Sequence, residues 1–167
     1  VQMLFILSDN NGAGERGPDH FMGIETKLWE AADQLRANSK LTAQEYSRPV
    51  LGLIFLKYAD YRFAKAEKEL EAANTSGRRT ISKLDYQAKG VMYLPDKSRF
   101  SALIQQPEGS DIGSIINDAM RAIETENKEL KDILPKEYGG FDNRLLFEIL
   151  RIFNGIQSKE SPQLKIR

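Results

Sequence analysis

Apolar residues near the start of the chain recur every three to four positions, which is the spacing of an amphipathic helix. The apolar side of this first predicted helix is formed by Ile24, Leu28, Ala31, Ala32 and Leu35. Trp29 lies on the same helix. It belongs either to the core or to a pocket on a neighbouring domain, since indole rings are common in both settings.

A second, longer helix is predicted over residues 43–73. Thr42 and Glu45 form a T-x-x-E capping box, in which each side chain accepts a hydrogen bond from a backbone N–H at the helix start. The middle of the helix reads VLGLIFLKYADYRF (50–63) and is apolar on nearly every face. This helix should therefore lie at the centre, covered by other helices. Pro49 comes early, where its missing N–H costs least.

Shorter elements are predicted between residues 74 and 104. NTSGRRTISK (74–83) is a polar and basic loop, and VMYLP (91–95) is a candidate for a very short extended piece. Ser98 is predicted to cap a short helix that turns Phe100, Leu103 and Ile104 inward.

The clearest amphipathic helix is predicted to start at residue 112. One continuous apolar stripe is formed by Ile112, Ile115, Ile116, Ala119, Met120, Ile123, Leu130 and Ile133 or Leu134. Asn127 falls on this stripe and is predicted to be a buried amide with a specific hydrogen-bond partner. Asp142 then caps a last helix, whose apolar residues are Leu146, Ile149, Leu150, Phe153 and Ile156. The predicted fold is all-α, a compact bundle of about five helices around a central apolar helix, with at most one very short extended segment.

Composition narrows the possible chemistry. The 167 residues include no cysteine and a single histidine, His20, which excludes thiolate zinc sites and leaves little for histidine-based catalysis or metal binding. Lys plus Arg number 24, as do Asp plus Glu, so a nucleic-acid binder would need its basic residues clustered. The longest apolar run falls short of the roughly 18 residues that span a bilayer. A cytoplasmic location without membrane contact is expected.

A glycine-rich motif near the start raises the question of a cofactor site. In MLFILSDNNGAGERG (3–17), Gly12, Gly14 and Gly17 fit G-x-G-x-x-G, with Asp9 before them. A nucleotide-type pocket needs the loop to enter a helix at once and further parallel strands behind it. Here Pro18 follows the third glycine, and no set of downstream strands is predicted. Residues 1–21 are therefore interpreted as a flexible leader or non-native extension.

Three blocks of the sequence resemble a known family. They are LWEAADQLRANSKLTAQEYSRPVLGLIFLKYADYRF (28–63), GVMYLPDKSRFSAL (90–103) and DIGSIINDAMRAIETENKELKDILP (111–135). Their order is similar to the N-terminal helical domain of the modification (M) subunit of type I restriction-modification systems, a DNA adenine-N6 methyltransferase. The resemblance implies that residues 22–160 are this helical domain and that 161–167 are a linker.

The resemblance also implies a parent protein with further parts. After Arg167 it would continue into a Rossmann-like catalytic domain with an S-adenosylmethionine loop and an Asn-Pro-Pro-Phe/Tyr motif that holds a flipped adenine. No Pro-Pro pair occurs in the 167 residues, so no catalytic, cofactor-binding or metal residue is assigned to them. The implied partners are double-stranded DNA, a specificity subunit, a second M subunit and an endonuclease subunit. This domain would help to close the complex around DNA.

Five cations are candidates for DNA contact, because Lys and Arg bind phosphates without reading base sequence. Arg78, Arg79 and Lys83 lie in one Gly/Ser-containing loop and form the best cluster, and Lys97 and Arg99 flank a helix start and come second. The alternative is that both groups are ordinary solvated loops.

Aromatic and acidic residues that could take part in base stacking or acid–base catalysis are interpreted as structural. Tyr58, Tyr61 and Phe63 could stack on bases, but their helical spacing beside Leu and Ile favours core packing. The carboxylates of AEKELEA (66–72) and ETENKEL (124–130) are interpreted as solvated ion pairs with nearby lysines.

Two other functions stay open at this point. A helical protein–protein adaptor would have the same core and no salt-dependent affinity for duplex DNA. A small self-contained methyltransferase using Gly12 to Gly17 would be stabilised by S-adenosylmethionine.

Overall fold

The computed structural model describes residues 42–156 and, upstream, positions 26, 29, 30, 32, 33, 36 and 37, which are helical. The continuous part contains five α-helices: α1 (Ala43–Ala73), α2 (Lys83–Ala88), α3 (Phe100–Leu103), α4 (Ile112–Glu126) and α5 (Asn143–Gly155). Three 3₁₀ turns join them, Asp96–Ser98, Lys128–Leu130 and Tyr138–Gly140. No strand occurs in the described residues, and the predicted all-α bundle of about five helices is confirmed. The segments predicted as leader (1–21) and linker (161–167) lie outside them.

Helix α1 begins at the predicted capping box. The Glu45 N–H donates to the Thr42 hydroxyl oxygen at 3.4 Å, and the Glu45 carboxylate accepts from the Thr42 N–H at 3.0 Å. The carboxylate also accepts from the Thr42 hydroxyl, and these hydrogen bonds lower the pKa of Glu45. Pro49 lies in the second turn, and the helix continues through it to Ala73.

The middle of α1 is the centre of the fold. Four consecutive residues, Leu53 to Leu56, each expose no more than 2% of their surface. Because four consecutive helical residues point in nearly all directions, other elements must surround this part of α1. Helices α2, α3 and α5 all pack against α1. The prediction of a central apolar helix is confirmed. Trp29 packs partly buried against the same core.

The apolar stripe that starts at Ile112 does not belong to one continuous helix. Helix α4 ends at Glu126, although Leu130 and Leu134 beyond it are also buried. The chain leaves the helix at Asn127, whose side chain is 2% exposed and donates to the carbonyls of Ile123 (2.8 Å) and Tyr93 (2.9 Å). The prediction of a buried amide is confirmed, and this amide marks the end of the helix.

Residues 91–95 form no strand, and the Tyr93 N–H donates to the Asn127 side-chain oxygen at 3.2 Å. The prediction for Ser98 is wrong. Ser98 does not cap α3, which starts after Arg99. Its buried hydroxyl instead donates to the Ala119 carbonyl on α4 at 3.0 Å. Phe100 and Leu103 point into the core as predicted, and Ile104 is half-buried.

Helices α1 and α4 and the turn Tyr138–Gly140 pack closely together, and we call this contact region the junction. The buried Tyr138 hydroxyl donates to the Pro49 carbonyl at 2.6 Å. A Cβ on Gly52 would overlap this hydroxyl and the Pro135 ring, and a Cβ on Gly113 would lie 2.6 Å from the Tyr138 carbonyl oxygen. Only glycine at these two positions lets the turn lie against both helices.

Helix α5 begins as predicted. The Asp142 side chain accepts from the N–H groups of Arg144 (2.7 Å) and Leu145 (3.4 Å). Four of its five predicted apolar residues are buried, and the fifth, Ile156, is half-buried just after the helix.

Candidate nucleic-acid interface

The basic segment 74–83 is held in a defined conformation. Asn74 ends α1, and its backbone N–H donates to the carbonyls of Leu70 (3.0 Å) and Glu71 (3.2 Å). Its side-chain amide reaches across the segment and donates to the Arg79 carbonyl at 2.6 Å. Gly77, with φ of 60°, makes the turn between them. We call residues 74–83 the basic loop.

The three predicted cations of the basic loop differ in what they contact. Arg78 is exposed and forms no ion pair with any residue that the structure describes. The Arg79 guanidinium pairs with Asp85 but keeps 75% of its side chain exposed. Lys83 is less accessible, at 38%, and its Nζ lies 2.7 Å from the Glu126 carboxylate at the end of α4. The loop therefore presents two arginines to solvent, while Lys83 joins α2 to α4.

Helix α2 is anchored by aromatic packing. Tyr86 is buried and stacks on Phe63 of α1, with ring centroids 4.3 Å apart and planes 8° from parallel. The Ser82 N–H and hydroxyl, with the charge of Arg79, lower the pKa of Asp85 and keep its carboxylate ionised at the start of α2. The basic loop thus rests on a fixed support.

The aromatic residues of α1 pack as predicted. Phe63 and Tyr58 are buried, and Tyr61 lies half-buried against the core. None of the three is displayed as a platform for stacking bases.

The two cations of the second predicted pair, Lys97 and Arg99, differ in exposure. Lys97 is exposed, whereas the Arg99 side chain is 16% exposed. The Arg99 Nε donates to Asp60 at 2.5 Å, a second nitrogen lies 3.5 Å from Glu67, and the guanidinium covers the Phe63 ring at 4.6 Å. Burial alone would lower the pKa of Arg99, but the bond to Asp60 and the charges of both carboxylates outweigh it and raise that pKa. The guanidinium of Arg99 is thus paired with two carboxylates of α1. DNA contact by Lys97 or Arg99 stays a prediction.

The carboxylates interpreted as solvated ion pairs make longer-range contacts. Glu124 is 10% exposed and accepts from Lys136 Nζ at 2.6 Å and from the Leu134 N–H at 2.9 Å. Glu69 pairs with Lys89 at 2.8 Å. The interpretation was wrong for Glu124, which is largely buried and holds the chain that leads to Tyr138.

Two exposed cations escaped the sequence analysis. Lys128 and Lys131 follow Glu126 closely and form no ion pair with another residue of the described part. In the sequence they alternate with Glu129 and Asp132, so the segment looks neutral. The contact between Lys83 and Glu126 places the start of this segment beside the end of the basic loop.

Among the described residues, no group of three or more His, Asp or Glu side chains is placed to hold a metal ion. Of the helices that the structure describes, none combines the length and the apolar character needed to cross a membrane. The glycine motif at Gly12, Gly14 and Gly17 and the histidine His20 lie outside the described residues.

The fold and this surface define an all-helical domain with a basic loop at one end. The chain belongs to the HsdM N-terminal domain family, whose model matches residues 24–153. The family resemblance noted in the sequence is confirmed.

One curated relative places the domain in a larger protein. The chain is 32% identical, over 166 aligned residues, to the Type I restriction enzyme MjaIX methylase subunit of Methanocaldococcus jannaschii. The match covers 88% of this chain and 29% of that protein, so the chain spans less than a third of its relative. No solved structure matches the chain significantly.

Proposed function

We propose that this chain is the non-catalytic N-terminal domain of a type I restriction-modification DNA methyltransferase. The observation that carries the proposal is the family match over residues 24–153, together with a relative that is named a methylase subunit. The whole enzyme would be site-specific for adenine N6, would use S-adenosylmethionine and would act in the cytoplasm.

The role proposed for this domain is assembly and DNA clamping. Its partners would be double-stranded DNA, the specificity subunit, a second M subunit and an endonuclease subunit. The exposed arginines Arg78 and Arg79, on a loop that is already ordered by Asn74, support a contact to phosphates. Such contacts position a protein on a duplex without reading its sequence.

The absence of a strand from the described residues supports a site for S-adenosylmethionine in other parts of the whole enzyme. A methyl-donor loop leaves a strand and enters a helix, and the described part of the chain has helices without any strand. We therefore assign the cofactor and the chemistry to other parts of the whole enzyme. A thermal melt of the chain should show no rise in Tm with S-adenosylmethionine, and a clear rise would favour the self-contained methyltransferase.

The DNA-binding proposal is tested by the salt dependence of binding. Fluorescence anisotropy would follow the chain on a labelled 20-bp duplex at several salt concentrations. Each phosphate contact adds about 0.9 to the magnitude of the slope of log affinity against log salt. The double variant Arg78→Gln/Arg79→Gln should lower this magnitude by about 1.8. Lys65→Gln/Lys68→Gln, two exposed lysines of α1, is the matched control and should leave it unchanged.

A protein–protein adaptor is the second candidate function. It is favoured by Leu84 on α2, the one large apolar side chain strongly exposed (72%) in the described part of the chain. An adaptor would bind the duplex without a steep dependence on salt, or not at all. The same anisotropy titration therefore separates the two functions.

A further inference from the structure

We propose that Lys128 and Lys131 bind DNA phosphates together with Arg78 and Arg79, as one basic ridge built from two distant parts of the chain. We call these four residues the basic ridge. The inference rests on the proposed function, because it assigns further contacts to the same interface.

The Lys83–Glu126 ion pair joins the two halves of the ridge. Lys83 is the first residue of α2 and follows the basic loop directly, and Glu126 is the last residue of α4. Their charged groups lie 2.7 Å apart, although the residues are 43 positions apart in sequence. Lys128 comes two residues after Glu126. This contact therefore brings the chain segment that carries the exposed lysines to the end of the loop that carries Arg78 and Arg79.

The turn Lys128–Leu130 places the two lysines on one side. Successive residues of a 3₁₀ helix are about 120° apart, so residues three positions apart point the same way. The Lys131 N–H donates to the Lys128 carbonyl at 3.2 Å, as this geometry requires. Leu130 is 1% exposed and points into the core, which leaves Glu129 on the third side. The two lysines thus form a pair of like charges directed away from the core.

The turn is fixed before any ligand binds. Asn127, immediately before it, is bonded through its side chain to both backbone groups of Tyr93. The Leu130 N–H donates to the Asn127 carbonyl at 2.9 Å. An array of cations on an ordered backbone loses less conformational freedom on binding than one on a mobile loop.

Lys83 has a different role in this arrangement. Its charge is offset by Glu126 and only 38% of its side chain is exposed, whereas Arg79, which pairs with Asp85, keeps 75% of its side chain exposed. Lys128 and Lys131 form no ion pair with any described residue, so their charges are available to phosphates. We therefore assign phosphate contact to the ridge and a positioning role to Lys83.

The test compares two double variants on the same duplex. Lys128→Gln/Lys131→Gln should lower the magnitude of the salt slope by about 1.8 and weaken binding at every salt concentration. Lys65→Gln/Lys68→Gln removes the same charge from an exposed face of α1 and should change neither quantity. Both variants replace exposed side chains, so their unfolding curves should match that of the wild-type chain.

The outcomes separate this inference from the proposed function. If Arg78→Gln/Arg79→Gln weakens binding while Lys128→Gln/Lys131→Gln behaves like the α1 control, the loop binds DNA alone and the ridge is overturned. If the wild-type chain shows no salt-dependent binding at all, the proposed DNA contact fails, and the ridge fails with it. Equal losses from the α1 control would point to nonspecific charge attraction and would also overturn the ridge.

Discussion

The junction around Tyr138 and the basic ridge are held by different forces. At the junction, α1, α4 and the turn Tyr138–Gly140 approach so closely that Gly52 and Gly113 have no room for a methyl group. At the ridge, exposed cations stand on short elements that are joined through a half-exposed ion pair.

Because of this difference, the junction should determine the stability of the fold and the ridge should determine DNA binding. Close packing of buried groups contributes most of the stability of a domain, and exposed ion pairs contribute about 0–1 kcal/mol each. Substitutions at the junction should therefore lower the free energy of unfolding, whereas substitutions in the ridge should weaken DNA binding and leave the stability unchanged. Because Trp29 is the single tryptophan and packs against the core, its fluorescence can follow unfolding in urea.

The largest effect is expected from Gly113→Ala. The new methyl group would lie 2.6 Å from the Tyr138 carbonyl oxygen, which belongs to backbone and cannot rotate away. Overpacking of this kind costs about 3 kcal/mol, more than the roughly 1 kcal/mol that alanine gains in a helix. Gly140→Ala has open space around its Cβ and is the control. Equal stability of the two variants in urea would contradict the close contact between Gly113 and the Tyr138 carbonyl.

Asn127→Ala should have the next largest effect. It removes the hydrogen-bond partner of the Tyr93 N–H and of the Tyr93 carbonyl, and these two groups form no hydrogen bond with a strand. Leaving buried polar groups unpaired costs about 2 kcal/mol. Asn154→Ala, at an exposed position of α5, is the matched control and should be nearly neutral. A loss of stability no larger than the control's would show that the amide is not needed.

Tyr138→Phe tests the hydrogen bond that joins the turn Tyr138–Gly140 to α1. Loss of the hydrogen bond to the Pro49 carbonyl should cost about 1 kcal/mol. The hydroxyl is also one of the groups that a methyl at Gly52 would meet. Gly52→Ala should therefore be less destabilising in the Tyr138→Phe background than in the wild type, which a double-mutant cycle of urea unfolding measures. Strict additivity would mean that the two residues do not interact.

The smallest effect concerns the pH dependence of stability. Burial, the largest influence, raises the pKa of Glu124, but the hydrogen bonds from Lys136 and Leu134 outweigh it and hold that pKa below its ordinary value of 4.5. Because the folded-state pKa is the lower one, the ionised carboxylate stabilises the fold above about pH 4.5 and loses this effect as the pH falls through the folded pKa. In Glu124→Gln, unfolding curves should depend less on pH in this acidic range. An unchanged pH dependence would contradict the contact.

The elements with strong local signals were predictable from sequence. The Thr42 capping box, the Asp142 cap and the apolar α1 depend on residues a few positions apart, and all three are confirmed. The buried amide of Asn127 was also visible as a polar residue on an apolar stripe.

The failures share a physical cause, since each depends on contacts distant in sequence. Ser98 looked like a cap, yet its hydroxyl bonds Ala119, and Glu124 is held by Lys136, 12 residues away. The proximity of Lys128 to the basic loop likewise follows from one ion pair across 43 residues. Local patterns carry no information about such contacts, so half of the ridge could not be found before the structure.

DNA should contact the end of the domain that carries the basic ridge and should not contact the junction around Tyr138. Amide hydrogen exchange of the 167-residue chain, with and without a duplex at low salt, tests it most directly. We expect slower exchange confined to residues 74–83 and 128–131, with the amides of residues 50–56 and 112–123 unchanged. Protection that appears on α5 or at the junction, without any change in 74–83, would contradict DNA contact at the ridge.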